Sequence, residues 1–312
     1  MSEIRFFENT YLSADGHSRV HYCVWTPEGV APLGIIQLSH GMCEYVMRYD
    51  AWARRFCEAG FIFCGNDHLG HGNTAPDEAG LGFTAPRGGD AMLVEDVHTL
   101  TAMMRAEHPA LPIILYGHSM GSFVARAYLT KYGDEIAAAI ISGTGGPEAP
   151  AGLARHIAHL VAALRGDHHR SKLLTALAFG SYNKRFKEEK STLSWLTRDE
   201  ETRKGYGADV FCRYTFTAAG YDTLFSLLAS VSRRDWAERV PKHLPMLLIS
   251  GDADPVGNYG KGVKKVYDRL LAAGCTRTEI KLYEGARHEP HHETNRDEVF
   301  ADLIHFIKGA LQ

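Results

Sequence analysis

Apolar positions near the start of the chain recur with two different periods. Over residues 4–12 and 18–26 they alternate with polar ones, with Val20, Tyr22 and Val24 set against Arg19, His21 and Cys23. Asp15-Gly16 lies in the gap, so the stretch predicts a β-hairpin at a sheet edge. Gly34 to Ser39 is short and mostly apolar, which predicts a buried strand running into His40-Gly41. Residues 45–59 carry Trp52 and Phe56 at helical spacing and close on Gly60, a residue suited to end a helix. Phe61 to Gly65 reads as the next strand, followed by the loop Asn66 to Gly72. A helix is expected over about 89–107, from Met92, Val97, Leu100 and Met104 on one side. The apolar run Ile113 to Tyr116 then predicts a strand, Phe123, Val124, Ala127 and Tyr128 a helix, and Ala137 to Ser142 a further strand. Strand and helix alternating in this way indicate an α/β fold, a mostly parallel sheet with helices on both faces.

The alternation stops between Gly145 and about Val240, where the pattern is helical. It resumes with a strand at Met246 to Ser250, a helix near 259–273, a strand from Glu279 to Tyr283 and a helix near 294–310. The chain thus divides into a catalytic domain of residues 1–144 and 241–312 and a helical cap inserted at 145–240. In the cap, Leu153, Ile157, Leu160, Val161 and Leu164 form one helical stripe, with Arg155, His156 and His159 opposite. Phe211, Phe216, Tyr221, Leu224, Phe225, Leu227 and Leu228 add bulky apolar surface. The plain expectation for most of these is packing among helices and onto the catalytic domain.

Composition narrows the picture. A net charge of −3 over 312 residues provides no electrostatic footprint for nucleic acid. No basic-then-apolar N-terminal pattern and no apolar run near 18 residues is present, so neither a signal peptide nor a membrane span is expected. Cys23, Cys43, Cys57, Cys64, Cys212 and Cys275 are scattered without a CxxC pair. Reduced, mostly buried thiols in a cytoplasmic protein are the expectation.

The chemistry gathers at Gly117-His118-Ser119-Met120-Gly121. G-x-S-x-G between a strand and a helix is a nucleophile elbow, in which a tight turn lifts the serine hydroxyl clear of the sheet. A serine nucleophile needs a base, and the base an orienting carboxylate, which on such a sheet follow in chain order from later strand ends. Gly251-Asp252-Ala253-Asp254-Pro255 follows one strand, and Glu284-Gly285-Ala286-Arg287-His288 follows the next. His288 is the expected base. Asp254, before Pro255 and deeper in its loop, is preferred to Asp252, which suits bracing the turn. Oxyanion donors are expected from the amides of Met120, after the nucleophile, and Met42, in the loop beyond an earlier strand.

Together, Ser39-His40-Gly41-Met42 with Glu44 and Arg48-Tyr49, Asp67-His68-x-Gly70-His71-Gly72, the elbow, Gly251-x-x-Asp254 and Tyr283-Glu284-Gly285-x-x-His288 resemble the monoglyceride lipase/lysophospholipase family of α/β hydrolases. The likeness covers nearly all of the chain outside the cap. It implies the α/β-hydrolase fold, a Ser119, Asp254, His288 triad, no cofactor, and a fatty acyl tunnel formed by the cap. It also implies that Glu44, Arg48 and His291 surround the glycerol hydroxyls; the bland alternative is a helix-start salt bridge and a surface histidine. Cys43 stands where many members have a small residue, and His288-Glu-Pro-His-His-Glu293 is unusually rich in histidine.

The expected substrate is a fatty acid ester, monoacylglycerol first, with lysophospholipase or broad carboxylesterase activity as alternatives. Transient membrane or micelle contact through the cap is expected, with no nucleic acid and no obligate protein partner. Metal catalysis is disfavoured because the histidine groups lack HExxH or HxHxDH spacing. A non-catalytic binding protein is disfavoured because no triad member is missing.

Overall fold

The computed structural model describes residues 3–147 and 151–312. Residues 1–2 of the expected catalytic domain and 148–150 of the expected cap lie outside the described residues. Eight strands form one sheet: β1 (Ile4–Leu12), β2 (Arg19–Pro27), β3 (Gly34–Ser39), β4 (Phe61–Asn66), β5 (Ile113–His118), β6 (Ala138–Ser142), β7 (Met246–Gly251) and β8 (Thr278–Tyr283). Their spatial order is β1-β2-β4-β3-β5-β6-β7-β8. β1 pairs antiparallel with β2 and β2 with β4, while every later pairing is parallel. This is the α/β-hydrolase fold.

The parallel strands β3 to β7 are buried along their whole length. That explains their continuous apolar sequence: helices cover both faces, so neither face needs polar residues. On one face α1 (Asp50–Glu58) and α9 (Arg296–Ala310) set Trp52, Phe56, Leu303 and Phe306 against Ile36, Phe63 and Tyr116. On the other, α2 (Gly89–Glu107), α3 (Met120–Tyr132) and α8 (Lys261–Ala272) set Val97, Leu100, Val124 and Val266 against Ile35, Leu115 and Leu248. α2 matches its sequence expectation to the residue. The helix expected at 45–59 is instead a 3-10 turn at Val46–Tyr49 followed by α1, with Gly60 in the left-handed conformation beyond it.

Strand order reverses at β3, which has β4 on one side and β5 on the other. At such a switch point the loops leaving the two strands diverge and open a crevice beyond their carboxyl ends. His40-Gly41-Met42 leaves β3 and Ser119 leaves β5, so the topology alone brings these segments together.

Between β6 and β7 the described chain adds no strand. It forms α4 (Ala151–Arg165), α5 (Lys172–Phe179), α6 (Glu200–Ala208) and α7 (Ala218–Ser232), linked by short turns. Here the expected α4 stripe is borne out only in part: Ile157 and Val161 pack half-buried against the core, and Arg155, His156 and His159 are exposed, but the three leucines are not covered. Ala151, Ala158 and Ala162 are buried, while Leu153, Leu160 and Leu164 are 64%, 58% and 73% exposed. The buried positions of α4 are thus filled by small alanines, and the leucines face solvent. His159, placed on the polar side by the sequence reading, meets Asp222 of α7 at 3.3 Å.

Candidate active site

The turn from β5 into α3 places Ser119 at φ 54°, ψ −121°, a strained conformation for a residue with a Cβ. Its amide is held by the Ser142 carbonyl at 2.9 Å. Two glycines make the turn feasible. A Cβ at Gly117 would lie 2.5 Å from the Gly121 carbonyl oxygen, and one at Gly121 would collide with the Ser39 carbonyl. Strand and helix can approach this closely only where side chains are absent.

Ser119 Oγ lies 2.8 Å from His288 Nε2, and His288 Nδ1 lies 3.1 Å from Asp254 Oδ2. Asp254 also accepts from Ser250 Oγ at 3.0 Å and from the Val256 amide at 2.8 Å. A carboxylate accepting at Nδ1 fixes the tautomer whose Nε2 can take the serine proton. Burial by itself would pull the His288 imidazole down, but the Asp254 charge and hydrogen bond, aided by Glu289 and Glu44, outweigh it and hold it above the ordinary histidine value. Asp252 is the turn brace, accepting the Gly285 amide at 2.8 Å.

Met42 and Ser119 both line a cavity of about 580 Å³, and His288 lies beside them. The walls come largely from the inserted segment, including Phe179, Leu193, Trp195, Tyr214 and Tyr221. The Met42 amide has no hydrogen-bond partner among the described residues. Met120 is the first residue of α3, where backbone amides have no acceptor within the helix.

The trio Glu44, Arg48 and His291 is placed differently from the expected glycerol ring. Glu44 lines the cavity; Arg48 and His291 do not. Arg48 is committed to carboxylates, with Nη1 2.8 Å from Glu44 Oε2 and 3.0 Å from Glu289 Oε1, and Nη2 3.1 Å from Glu289 Oε2. His291 is 1% exposed, not a surface histidine. It is stacked on Tyr49 at 4.6 Å and held neutral because burial pushes its pKa well down. Both its ring nitrogens are buried without a hydrogen-bond partner among the described residues.

Three contributors escaped the sequence reading. Glu289 supplies the carboxylate that grips Arg48. Trp195 lies with its ring 4.9 Å from that of His288, and the carbonyls of Trp195 and Leu196 accept the His288 and Glu289 amides at 3.4 and 2.8 Å. Glu293, fully buried, accepts the Arg287 and Arg198 amides and Arg198 Nε at 2.9, 3.0 and 2.8 Å. Residues 194–198 of the insertion are therefore fastened along the histidine loop. The polar tail after His288 was the available signal; its partners, over 90 positions away, were not.

A family model described as serine aminopeptidase, S33, matches residues 30–295. The chain is 30% identical over 302 residues to a monoacylglycerol lipase of Mycolicibacterium smegmatis, covering 95% of each. It is also 30% identical over 308 residues to the monoglyceride lipase of Homo sapiens, covering 95% of this chain and 87% of that one. The chain belongs to the monoglyceride lipase-like family of α/β hydrolases. It is accordingly a carboxylic ester hydrolase. Among solved structures, a thermostable carboxyl esterase from Bacillus coagulans in complex with glycerol superposes with a TM-score of 0.92 at 31% identity, over 98% of this chain and 99% of that one. No helix among the described residues is long and apolar enough to cross a membrane.

Proposed function

We propose that the chain hydrolyses monoacylglycerols to glycerol and a fatty acid through an acyl-enzyme on Ser119. The observation that carries this reading is the Ser119–His288–Asp254 relay on the floor of a cavity with mostly apolar and aromatic walls. His288 takes the Ser119 proton as Oγ attacks the ester carbonyl, and Asp254 stabilises the resulting imidazolium. The Met42 and Met120 amides receive the negative charge on the carbonyl oxygen. His288 then protonates the departing alcohol, and water, deprotonated by the same imidazole, releases the acid.

A cavity of this volume falls in the usual range for small-molecule sites, and its walls suit a fatty acyl chain. The named activities of the Mycolicibacterium and human relatives, and the esterase complexed with glycerol, favour glycerol as the alcohol. Purified enzyme assayed on monoacylglycerols, lysophospholipids and short-chain esters is expected to prefer the first by kcat/KM. Preference for lysophospholipids would displace this substrate assignment while leaving the chemistry intact.

The segment 145–240 acts in this reading as the cap over the acyl pocket. The exposed leucines 153, 160 and 164 on α4, with Leu173 and Leu177 on α5, form the face that meets a micelle or membrane surface. Changing Leu153, Leu160 and Leu164 together to serine is expected to lower turnover of micellar long-chain substrate about tenfold, as apolar contact with the interface is lost. Hydrolysis of a soluble short-chain ester should be unchanged. An equal loss on both substrates would argue for damaged packing instead.

A further inference from the structure

Beneath the oxyanion loop, both polar groups of the Gly41 backbone are held by side chains. Its N–H donates to Glu44 Oε1. Its carbonyl accepts from His40 Nδ1 at 2.8 Å, and the tautomer is fixed because His40 Nε2 accepts the His68 amide at 3.0 Å. The Gly41–Met42 peptide is trans. In a trans peptide the carbonyl and the following N–H point in opposite directions. Holding the Gly41 oxygen against His40 therefore sends the Met42 N–H the other way, and Met42 lines the same cavity as Ser119. Cys43 has φ 56°, and this left-handed residue folds the chain back so that Glu44 reaches Gly41. The fit excludes a side chain at Gly41, where a Cβ would sit 2.6 Å from Glu44 Oε1 and 2.9 Å from Ser119 Cβ.

The other end of Glu44 leads to the base. Its Oε2 accepts from Arg48 at 2.8 Å, and Arg48 in turn grips Glu289 with both terminal nitrogens. Glu289 is the residue directly after His288. Oε1 of Glu44 also accepts Tyr49 Oη at 3.1 Å, so the carboxylate has three protein donors. All of Glu44, Arg48 and Glu289 are nearly solvent-free, with side-chain exposures of 3%, 9% and 3%. A buried, bidentate arginine between two carboxylates has a narrow allowed geometry.

We propose that Glu44 and Arg48 are positioning residues: with Glu289 they form a buried strut that sets the Met42 oxyanion donor relative to His288, and they serve every ester alike rather than reading the glycerol head group. The proposal rests on the catalytic reading above. A strut of this kind acts in the transition state, where charge reaches the carbonyl oxygen, and little in the ground state.

The test compares Glu44→Ala and Glu44→Gln on a glycerol monoester and on the ethyl ester of the same fatty acid. Loss of one oxyanion donor typically lowers kcat 10²–10³-fold. Glu44→Ala is expected to lose on the order of 10²-fold in kcat on both esters, with KM within about threefold. Glu44→Gln keeps one acceptor for Gly41 but turns an amide donor toward Arg48, so about tenfold is expected. Affinity for a trifluoromethyl ketone, which forms a tetrahedral adduct, should fall in step with kcat/KM. A loss confined to the glycerol ester, a rise in KM alone, or wild-type rates on both esters would overturn the strut. If circular dichroism finds Glu44→Ala unfolded, His40→Ala releases the other end of the same peptide and must show the same substrate-independent loss. Ser119→Ala, run alongside, separates the two levels: activity in that variant sinks the catalytic reading, whereas an inactive Ser119→Ala beside a glycerol-selective Glu44→Ala sinks only the strut.

Discussion

Ser119→Ala is expected to lower kcat by ~10³-fold or more while leaving KM and the thermal midpoint close to those of the parent. Three physical points set that combination. Oγ is the only atom removed, and it is the one aligned 2.8 Å from His288 Nε2. Alanine keeps the Cβ, so the strain at φ 54° is unchanged and the Ser142 carbonyl still holds the amide. Substrate binding is spread over the cavity walls, from which the change removes a single oxygen. Residual turnover would come from water activated by His288 and from the oxyanion donors, which alone retain some catalysis in such sites.

Asp254→Asn carries the second large effect, a fall in kcat on the order of 10⁴. Oδ2 of Asp254 accepts from both His288 Nδ1 and Ser250 Oγ, so an asparagine that keeps its carbonyl there can still orient the ring but supplies no charge for the imidazolium. With its amide turned inward it would stabilise the wrong tautomer, leaving Nε2 protonated and useless as a base. The pH dependence gives a second handle. Only neutral His288 can take the serine proton, so kcat/KM should rise with pH through the histidine pKa, which lies above its ordinary 6.5. In the variant, burial still disfavours the imidazolium, and the Asp254 charge that overcame it is gone. The acid limb of residual activity must therefore move to lower pH. A limb that moves up, or a variant within tenfold of the parent, would contradict the role assigned to Asp254.

Much of the architecture was legible because it depends on local periodicity. α2 was readable from Met92, Val97, Leu100 and Met104, and the buried strands from runs such as Ile113 to Tyr116. Chain order after strand ends pointed to Ser119, Asp254 and His288, whose side chains the structure brings within hydrogen-bond reach of one another. The choice of Asp254 over Asp252 followed from depth in the loop, and the structure brings Asp254 to the histidine ring. What failed depended on partners distant in sequence. The α4 stripe was read by hydrophobicity; Ile157 and Val161 of it do pack on the core, but Ala158 and Ala162 fill the buried positions beside them and Leu153, Leu160 and Leu164 stay outside. Trp195 lies in a stretch of short turns with no periodic signal, yet its ring lies 4.9 Å from that of His288. Glu44 and Arg48 were visible as an i,i+4 pair. Their link to Glu289, 241 positions beyond Arg48, was not, and that link sets what the pair can do.

The most direct test of the account is covalent capture of the nucleophile. A fluorophosphonate reacts with an activated serine and leaves a stable phosphonyl ester. Intact-mass measurement should show one equivalent bound as activity disappears, and peptide mapping should place it on Ser119, with no labelling of Ser119→Ala. Inactivation with the label on another residue, or full activity in protein labelled at Ser119, would contradict the assignment.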